Sequence, residues 1–405
     1  MKKHALLSFI ILILFGCHQQ RERQIRFSEE QINSLQMDST LVLPTETNSA
    51  ITLDFHPFLK DVQYDLGRMI KDVVLVPLET TNKSLISTPL KVIASDSNIY
   101  IMDEYKGQGL IIFDRDGKFV KRLPSGQGPG ELYRLYDFAF DKENNELVAY
   151  QHPFMMFFTP SGQYLRQTRL SFGFYNFMVI PEGYVFKTLD SQGNEHLGDL
   201  KDNTLLITDK NFRLISAGLP FPSDYNGLGN RNQLYNNNSI EVTLKGRDTV
   251  FQYVNESNLL RAEYVIDYSK KKMPEQYLFG GSYQDFDRAA RQNDYFFYVG
   301  EFFDTHNHSY FNLKSFNGDR QVYRDKCSGN MIGGYITNTD TNILPFYPYL
   351  IYGTYGKYFI SMLYLQDFKK YCDKPSQLSD KNKQIVKNLK EDDNETLIFF
   401  ELKDF

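Results

Sequence analysis

The sequence predicts an all-β chain, a six-bladed β-propeller with four-stranded antiparallel blades, and three observations point there. Residues 90–170 hold two turns of one repeat, KVIASDSNIYIMDEYKGQGLIIFDRDGKFVKRL (Lys91–Leu123) and DFAFDKENNELVAYQHPFMMFFTPSGQYLRQTRL (Asp137–Leu170). Each passes through apolar alternation, a polar turn, two further apolar or aromatic runs, a D-G or S-G hairpin turn and a closing strand. A four-stranded unit recurring at about 40–50 residues marks a propeller blade. Before the first complete blade stands Asp72–Thr80 (DVVLVPLET), a β-prone strand read as completing the last blade and closing the ring, which removes free sheet edges; the alternative is that it is the first strand of blade one. The third observation is composition. Aromatic residues make up 15% of the chain, all of them Tyr or Phe with no Trp, which suits sheets packed face to face.

The elements follow in order. Met1-Lys2-Lys3-His4 supplies a positive start and Ala5–Phe15 a short apolar run, too short to span a bilayer. Leu14-Phe15-Gly16-Cys17 resembles a bacterial lipoprotein signal, whose processing leaves Cys17 as the lipidated first residue; the alternative is a plain secretory signal with an incidental Cys. Such an anchor is the one membrane attachment expected. Residues 18–53 are polar and read as a flexible spacer, and the propeller is expected over residues 54–405.

Blade one is expected at about 89–130, blade two at 131–172 and blade three at 173–222. Blades four, five and six follow at about 232–268, 296–336 and 346–403. Two segments break the pattern. Met273–Asn293, with Pro274 near its start and an Ala-containing charged run, predicts a short helical insertion between blades four and five. Gln377–Lys390 reads as a polar surface loop with partial helix inside blade six.

At 405 residues and a net charge of −5, the chain carries no strong basic field, which argues against nucleic acid or an anionic bilayer as partner of the body. With Cys17 assigned to lipid, Cys327 and Cys372 remain, free to pair in an oxidising compartment or to stand as two separate buried thiols.

Candidate chemistry is sparse. Gly126-Gln127-Gly128-Pro129-Gly130 has the glycines of a phosphate loop but leads into a strand, not a helix N-terminus, and reads as a tight inter-blade loop. Arg122, Glu131 and Tyr133 beside it are candidate ligand-binding residues at a rim of the ring. Asp114-Arg115-Asp116-Gly117-Lys118 lacks the later oxygen ligands of a calcium loop and predicts a hairpin turn. On an extended strand Asp304, His306 and His308 would share a face, giving three donors of a zinc site. The same spacing suits a hairpin tip, and no second His or Cys cluster stands nearby. No nucleophile elbow, H-E-x-x-H helix or Walker loop is present, and no cofactor is expected.

Several stretches together resemble the six-bladed β-propeller lipoproteins of Bacteroides and related gut bacteria, similar in style to NHL-type propellers. They are VPLET at 76–80, IIFDRDGKFV at 111–120, GQGPGEL at 126–132, DTVFQYVNESNLLRAEYVIDY at 248–268 and LIFFELK at 397–403. Leu132 stands where that family usually has Tyr, and Asn394-Glu395-Thr396 where it often has N-P-V. The resemblance implies an envelope lipoprotein with a binding or scaffolding role and carries over no catalytic residues. The expected function is thus binding of a protein, peptide or glycan by a monomeric, lipid-anchored propeller. The alternative is an envelope enzyme, a glycan lyase, hydrolase or lactonase, with its site at the channel mouth; a third is a structural subunit. The mixed charge after Cys17 (His18 to Arg23) lacks an acidic run, which favours the periplasmic face of the outer membrane over the cell surface.

Overall fold

The computed structural model describes residues 27–60, 63–104, 109–188, 193–220, 234–236, 240–244, 246–337, 350–363 and 378–405. Six sheets arise in chain order. Blade one is built from Pro89–Ala94, Asn98–Asp103, Gly109–Asp114 and Phe119–Arg122, and blade two from Asp137–Asp141, Glu146–Gln151, Phe154–Phe158 and Tyr164–Arg169. Blade three comprises Phe174–Ile180, Gly183–Thr188, Asn203–Asp209 and Leu214–Pro220; blade four, Leu234–Asn236, Ile240–Thr243, Thr249–Val254 and Leu259–Asp267. Blade five holds Phe297–Asp304, His308–Lys314, Arg320–Asp325 and Met331–Thr337. Blade six takes Gly353–Tyr355, Tyr358–Leu363 and Thr396–Leu402 from the end of the chain, and Ile70–Pro77 from its beginning. That last strand pairs antiparallel with Thr396–Leu402, Leu75 opposite Ile398, and so closes the ring as the sequence predicts.

Successive side chains point to opposite faces of a sheet, and the middle strands are apolar almost throughout (Ile99, Tyr100 and Ile101; Leu147, Val148 and Ala149), so each blade buries both faces and the core divides into seams. Tyr100, Leu110, Phe138 and Leu147 pack between blades one and two, and Tyr150, Phe174, Phe186 and Leu206 between two and three. Val185, Leu205, Val242 and Leu260 fill the next seam, and Tyr264, Tyr298, Phe302 and Phe311 the one after. Phe303, Tyr310, Phe359 and Phe400 join blades five and six; Ile99, Phe113, Ile360 and Phe399 join six to one.

The Asp-Gly turn of blade one is as predicted. Asp114 Oδ1 accepts from the backbone N–H groups of Asp116 and Lys118, each at 2.9 Å. Gly117 adopts φ +83°, and a Cβ there would lie 2.1 Å from the Pro77 carbonyl oxygen. Only glycine satisfies both demands.

The described part of the expected spacer, residues 27–53, is not a spacer. It begins a belt that follows the outer edges of the ring. Leu41–Val42 pairs parallel with the outer strand of blade three, and Thr45–Glu46 and Ile51–Asp54 with that of blade four. Gln63–Asp65 then pairs parallel with the outer strand of blade five. At intervals the belt sends an apolar side chain into a seam: Leu35 between blades two and three, Leu43 between three and four, Leu53 and Phe55 between four and five, Leu66 between five and six. All five are buried. Burial of these side chains offsets the cost of ordering an otherwise polar segment.

The insertion between blades four and five is helical, Glu275–Leu278 and Tyr283–Asn293, with Ser282 capping the longer helix and Phe286 packing in a small core of its own. In blade six, helix Asp380–Asn388 lies within the predicted polar insertion. Its buried Asn382 donates from Nδ2 to the Val73 carbonyl (2.7 Å) and accepts from the Leu75 N–H (3.3 Å), covering the edge of the closing strand. Cys17 and Cys372 lie outside the described residues, so the lipidation and disulfide assignments fall there too. Cys327 is exposed in the turn after Arg320–Asp325. Among the described residues no helix is long and apolar enough to cross a membrane.

Candidate functional site

The first strand of each blade lies nearest the axis, and polar contacts pass from blade to blade around it. Val92 N–H of blade one donates to the Tyr352 carbonyl of blade six at 3.0 Å. A Cβ on Gly353 would fall 2.1 Å from the Val92 carbonyl oxygen, so glycine permits this close approach. Lys91 Nζ of blade one donates to Asp137 Oδ1 of blade two (2.8 Å), whose other oxygen accepts from the Phe177 N–H of blade three (3.0 Å). Lys187 Nζ of blade three reaches the Thr243 carbonyl of blade four (2.8 Å), and Thr243 Oγ1 reaches the Gly300 carbonyl of blade five (2.8 Å). His306 N–H of blade five completes the circuit at the Gly356 carbonyl of blade six (3.1 Å). Buried donors and acceptors that would otherwise be orphaned are satisfied across the joints, which fixes blade position as well as sheet content.

Where the inner strands of blades six, one, two and three end, they enclose a cavity of about 230 Å³. Its walls are mainly apolar: Val92, Ile93 and Ala94, then Ala139 and Phe140, then Phe177 to Pro181, with Tyr352 and Tyr355 opposite. Phe140 stacks on Tyr100 at 5.3 Å between ring centroids. Tyr355 donates its hydroxyl to Asp96 Oδ1 (2.8 Å) and carries the Arg115 guanidinium 4.4 Å from its ring centre. Its phenol is pushed above the usual range, first by the Asp96 contact and then by burial.

Lys91, Asp141 and Glu143 at the cavity have neighbours, and Lys142 stands exposed beside them. Asp141 accepts from the Asn144 N–H (3.0 Å) and side-chain amide (2.8 Å), closing the turn at the end of the inner strand. Glu143 pairs with Lys210 (3.2 Å), and Lys91 with Asp137. Among the described residues no histidine lines the cavity. Chemically, the site offers aromatic surface and a mixed-charge rim; among the described residues it holds no pair of unengaged carboxylates poised for acid–base work.

The sequence-predicted rim residues sit elsewhere. Arg122 ends the outer strand of blade one, and Glu131 and Tyr133 belong to the connection from there to the start of strand Asp137–Asp141, whereas the cavity opens at that strand's end. They therefore flank the opposite face. Arg122 Nε donates to the Lys83 carbonyl at 3.0 Å, and its guanidinium also reaches the Leu85 carbonyl. Glu131 accepts from the Gly128 N–H at 2.9 Å, holding the glycine loop. Tyr133 is 63% exposed.

Asp304, His306 and His308 occupy a hairpin tip, with Asp304 opposite Ser309. The turn sends the three side chains to different partners. Asp304 pairs with Lys326 (2.6 Å) and accepts from Ser309 Oγ (2.8 Å); burial raises its pKa against the pull of Lys326. His306 lies at the exposed tip, toward Gly356. His308 is buried instead beside Asp325 and Asp404, where one donor atom from each lies within 4.8 Å of the others. Sequence reasoning missed Asp325 and Asp404 because they come from another hairpin and the last residues of the chain. It missed the cavity residues for the same kind of reason, although the ends of the inner strands in the blade repeat were a usable signal.

A family profile, "Domain of unknown function (DUF4934)", matches residues 51–401, and the chain belongs to that family. No curated protein matches it. A crystal structure from Bacteroides fragilis NCTC 9343, of a protein classed as exported, superimposes with a TM-score of 0.72 at 17% identity, covering 88% of this chain and 100% of that one. A Bacteroides caccae protein of unknown function matches with a TM-score of 0.37 at 13% identity, over 64% of this chain and 92% of its own. At these identities the first likeness shows the fold alone, and the second carries no argument.

Proposed function

We propose that this member of the DUF4934 family is a non-catalytic, lipid-anchored binding protein of the cell envelope, a monomeric ring whose axial cavity receives part of a protein, peptide or glycan partner. One observation carries the reading. The cavity presents apolar and aromatic walls, while Lys91, Asp141 and Glu143 at its edge are engaged by neighbouring side chains. Shape and aromatic area bind; they do not cleave. A cavity of about 230 Å³ with both signs of charge at its rim suits one uncharged moiety, such as a sugar ring or an apolar side chain.

The lipobox-like Leu14-Phe15-Gly16-Cys17 supports the anchor, and the exported class of the B. fragilis protein that shares the fold agrees with an envelope address. The charge pattern after Cys17 supports the periplasmic face of the outer membrane. Protease treatment of intact cells tests that side: survival of the chain is expected, and its loss would indicate surface display.

The binding role is tested by pulldown from envelope extracts, with glycan and peptide arrays, comparing wild type and Phe140→Ala. A partner held by the wild type and weakened tenfold or more by the variant is expected. A folded wild-type chain that retains nothing specific in all three assays would remove the proposal.

A further inference from the structure

We propose that His308, Asp325 and Asp404 form a binding site for a divalent transition ion of the zinc class, pinning the last residues of the chain to blade five. His308 starts the second strand of blade five, Asp325 ends the third, and Asp404 follows the blade-six strand Thr396–Leu402. An ion held here would bridge blades five and six on the face where the first and third strands of each blade end, the same face as the mouth of the axial cavity.

The imidazole is the first argument. Its side chain is fully buried; the backbone of Lys403 approaches the ring, but neither ring nitrogen meets a hydrogen-bond partner in good geometry. A buried polar group in that condition carries a penalty of about 1–3 kcal/mol unless something satisfies it. Nε2 lies 3.9 Å from Asp325 Oδ2, too far for a hydrogen bond and close to the separation of two ligands on one ion. Donors bound to a tetrahedral zinc at about 2.0–2.1 Å stand roughly 3.3–3.4 Å apart, so an inward shift of about half an ångström brings this pair to ligand separation.

Asp325 is held rigidly. Its Oδ1 accepts from the N–H groups of Cys327 (2.8 Å) and Ser328 (3.0 Å), and Oδ2 from that of Phe405 (3.1 Å). Each carboxylate oxygen has two lone pairs, so Oδ2 keeps one for an ion.

Asp404 is fixed from both sides. Lys403 N–H donates to the Met69 carbonyl (2.8 Å), Ser328 Oγ donates to the Phe405 carbonyl (2.6 Å), and the Phe405 ring stacks on His308 at 5.2 Å between centroids. Asp404 is exposed, and its carboxylate, with a donor atom within 4.8 Å of the other two, can turn toward them. One imidazole and two carboxylates suit zinc and its neighbours better than calcium or magnesium, which take oxygen ligands. Solvent on the Asp404 side would supply the remaining ligand.

The test uses the full mature chain, stripped with chelator and titrated with Zn²⁺ by calorimetry against a competing chelator. Thermal unfolding is recorded with and without metal. One ion per chain is expected, with a metal-dependent rise in Tm that scales with free zinc. Asp404→Asn changes an exposed residue and should fold as the wild type does in chelator, yet bind zinc at least tenfold more weakly. His308→Gln should abolish binding, whereas His306→Ala should bind as the wild type. Absence of saturable zinc binding by the wild type would overturn the site, as would undiminished affinity in both Asp404→Asn and His308→Gln.

Discussion

Lys91 and Asp137 meet at 2.8 Å across the joint between blades one and two, with only 12% and 2% of their side chains exposed. The ammonium also donates to the Phe138 carbonyl at 2.8 Å, and the carboxylate accepts from the Phe177 N–H, so three blades share one charged contact. Removing one partner leaves the other charge buried and alone. Asp137→Ala is therefore expected to destabilise the ring by about 3–5 kcal/mol, whereas Lys91→Met with Asp137→Leu should recover much of that loss. Urea unfolding of the single and double variants checks this; equal losses in both would show that the charge pairing is not what matters.

The belt is structural, and its side chains should behave as core. Phe55→Ala is expected to cost about 3–5 kcal/mol and Leu43→Ala about 2–5 kcal/mol. Substitutions in a solvated linker stay within about 0.5 kcal/mol. Calorimetric unfolding separates the two descriptions cleanly.

Gly117→Ala normally stabilises by reducing unfolded-state freedom, but here the sign reverses. A left-handed alanine costs about 1–2 kcal/mol, before the contact with the Pro77 carbonyl is relieved. The expected result is a lowered Tm with unchanged ligand binding, because this hairpin lies outside the cavity lining.

Glu401 receives Lys71 at 3.0 Å and Lys357 at 2.6 Å. Burial raises its pKa, and the two lysines more than reverse that, leaving it below the usual glutamate value. A depressed folded-state pKa adds stability that is present above the unfolded value of about 4.3 and disappears as pH falls through the folded one. The stability difference between wild type and Glu401→Gln should be level from pH 5 to 8 and shrink below about pH 4.3. A difference that grows on acidification would contradict the assignment.

How much the sequence discloses depends on how locally each feature is encoded. The Asp114–Lys118 turn is legible because Asp-Gly between apolar runs carries its own geometry. The closing strand is legible because VVLVP is too β-prone to stand idle beside a set of blades short of one strand. Leu35, Leu43, Leu53 and Leu66 are not legible as core. They are scattered apolar residues in polar surroundings, spaced by the distance between seams and not by a strand or helix period. The cavity escapes for another reason: Lys91 and Tyr355 stand far apart in sequence, and only closure of the ring makes them neighbours. His308 with Asp325 and Asp404 is the same case; strand alternation grouped His308 with Asp304 and His306, and a hairpin turn undid the grouping.

The belt also has an asymmetry. It places a residue in every joint from two–three to five–six, and the closing strand with Leu78 secures six–one, yet among the described residues nothing from it enters the joint between blades one and two. That joint also forms one wall of the cavity, through Ile93 and Phe140. The ring is thus a split collar, strapped everywhere except at the gap its ion pair bolts. Loosening of that joint is the change the belt is least placed to oppose, and it falls to the ion pair, the apolar core and the Asn98 and Lys121 contacts across it to resist it.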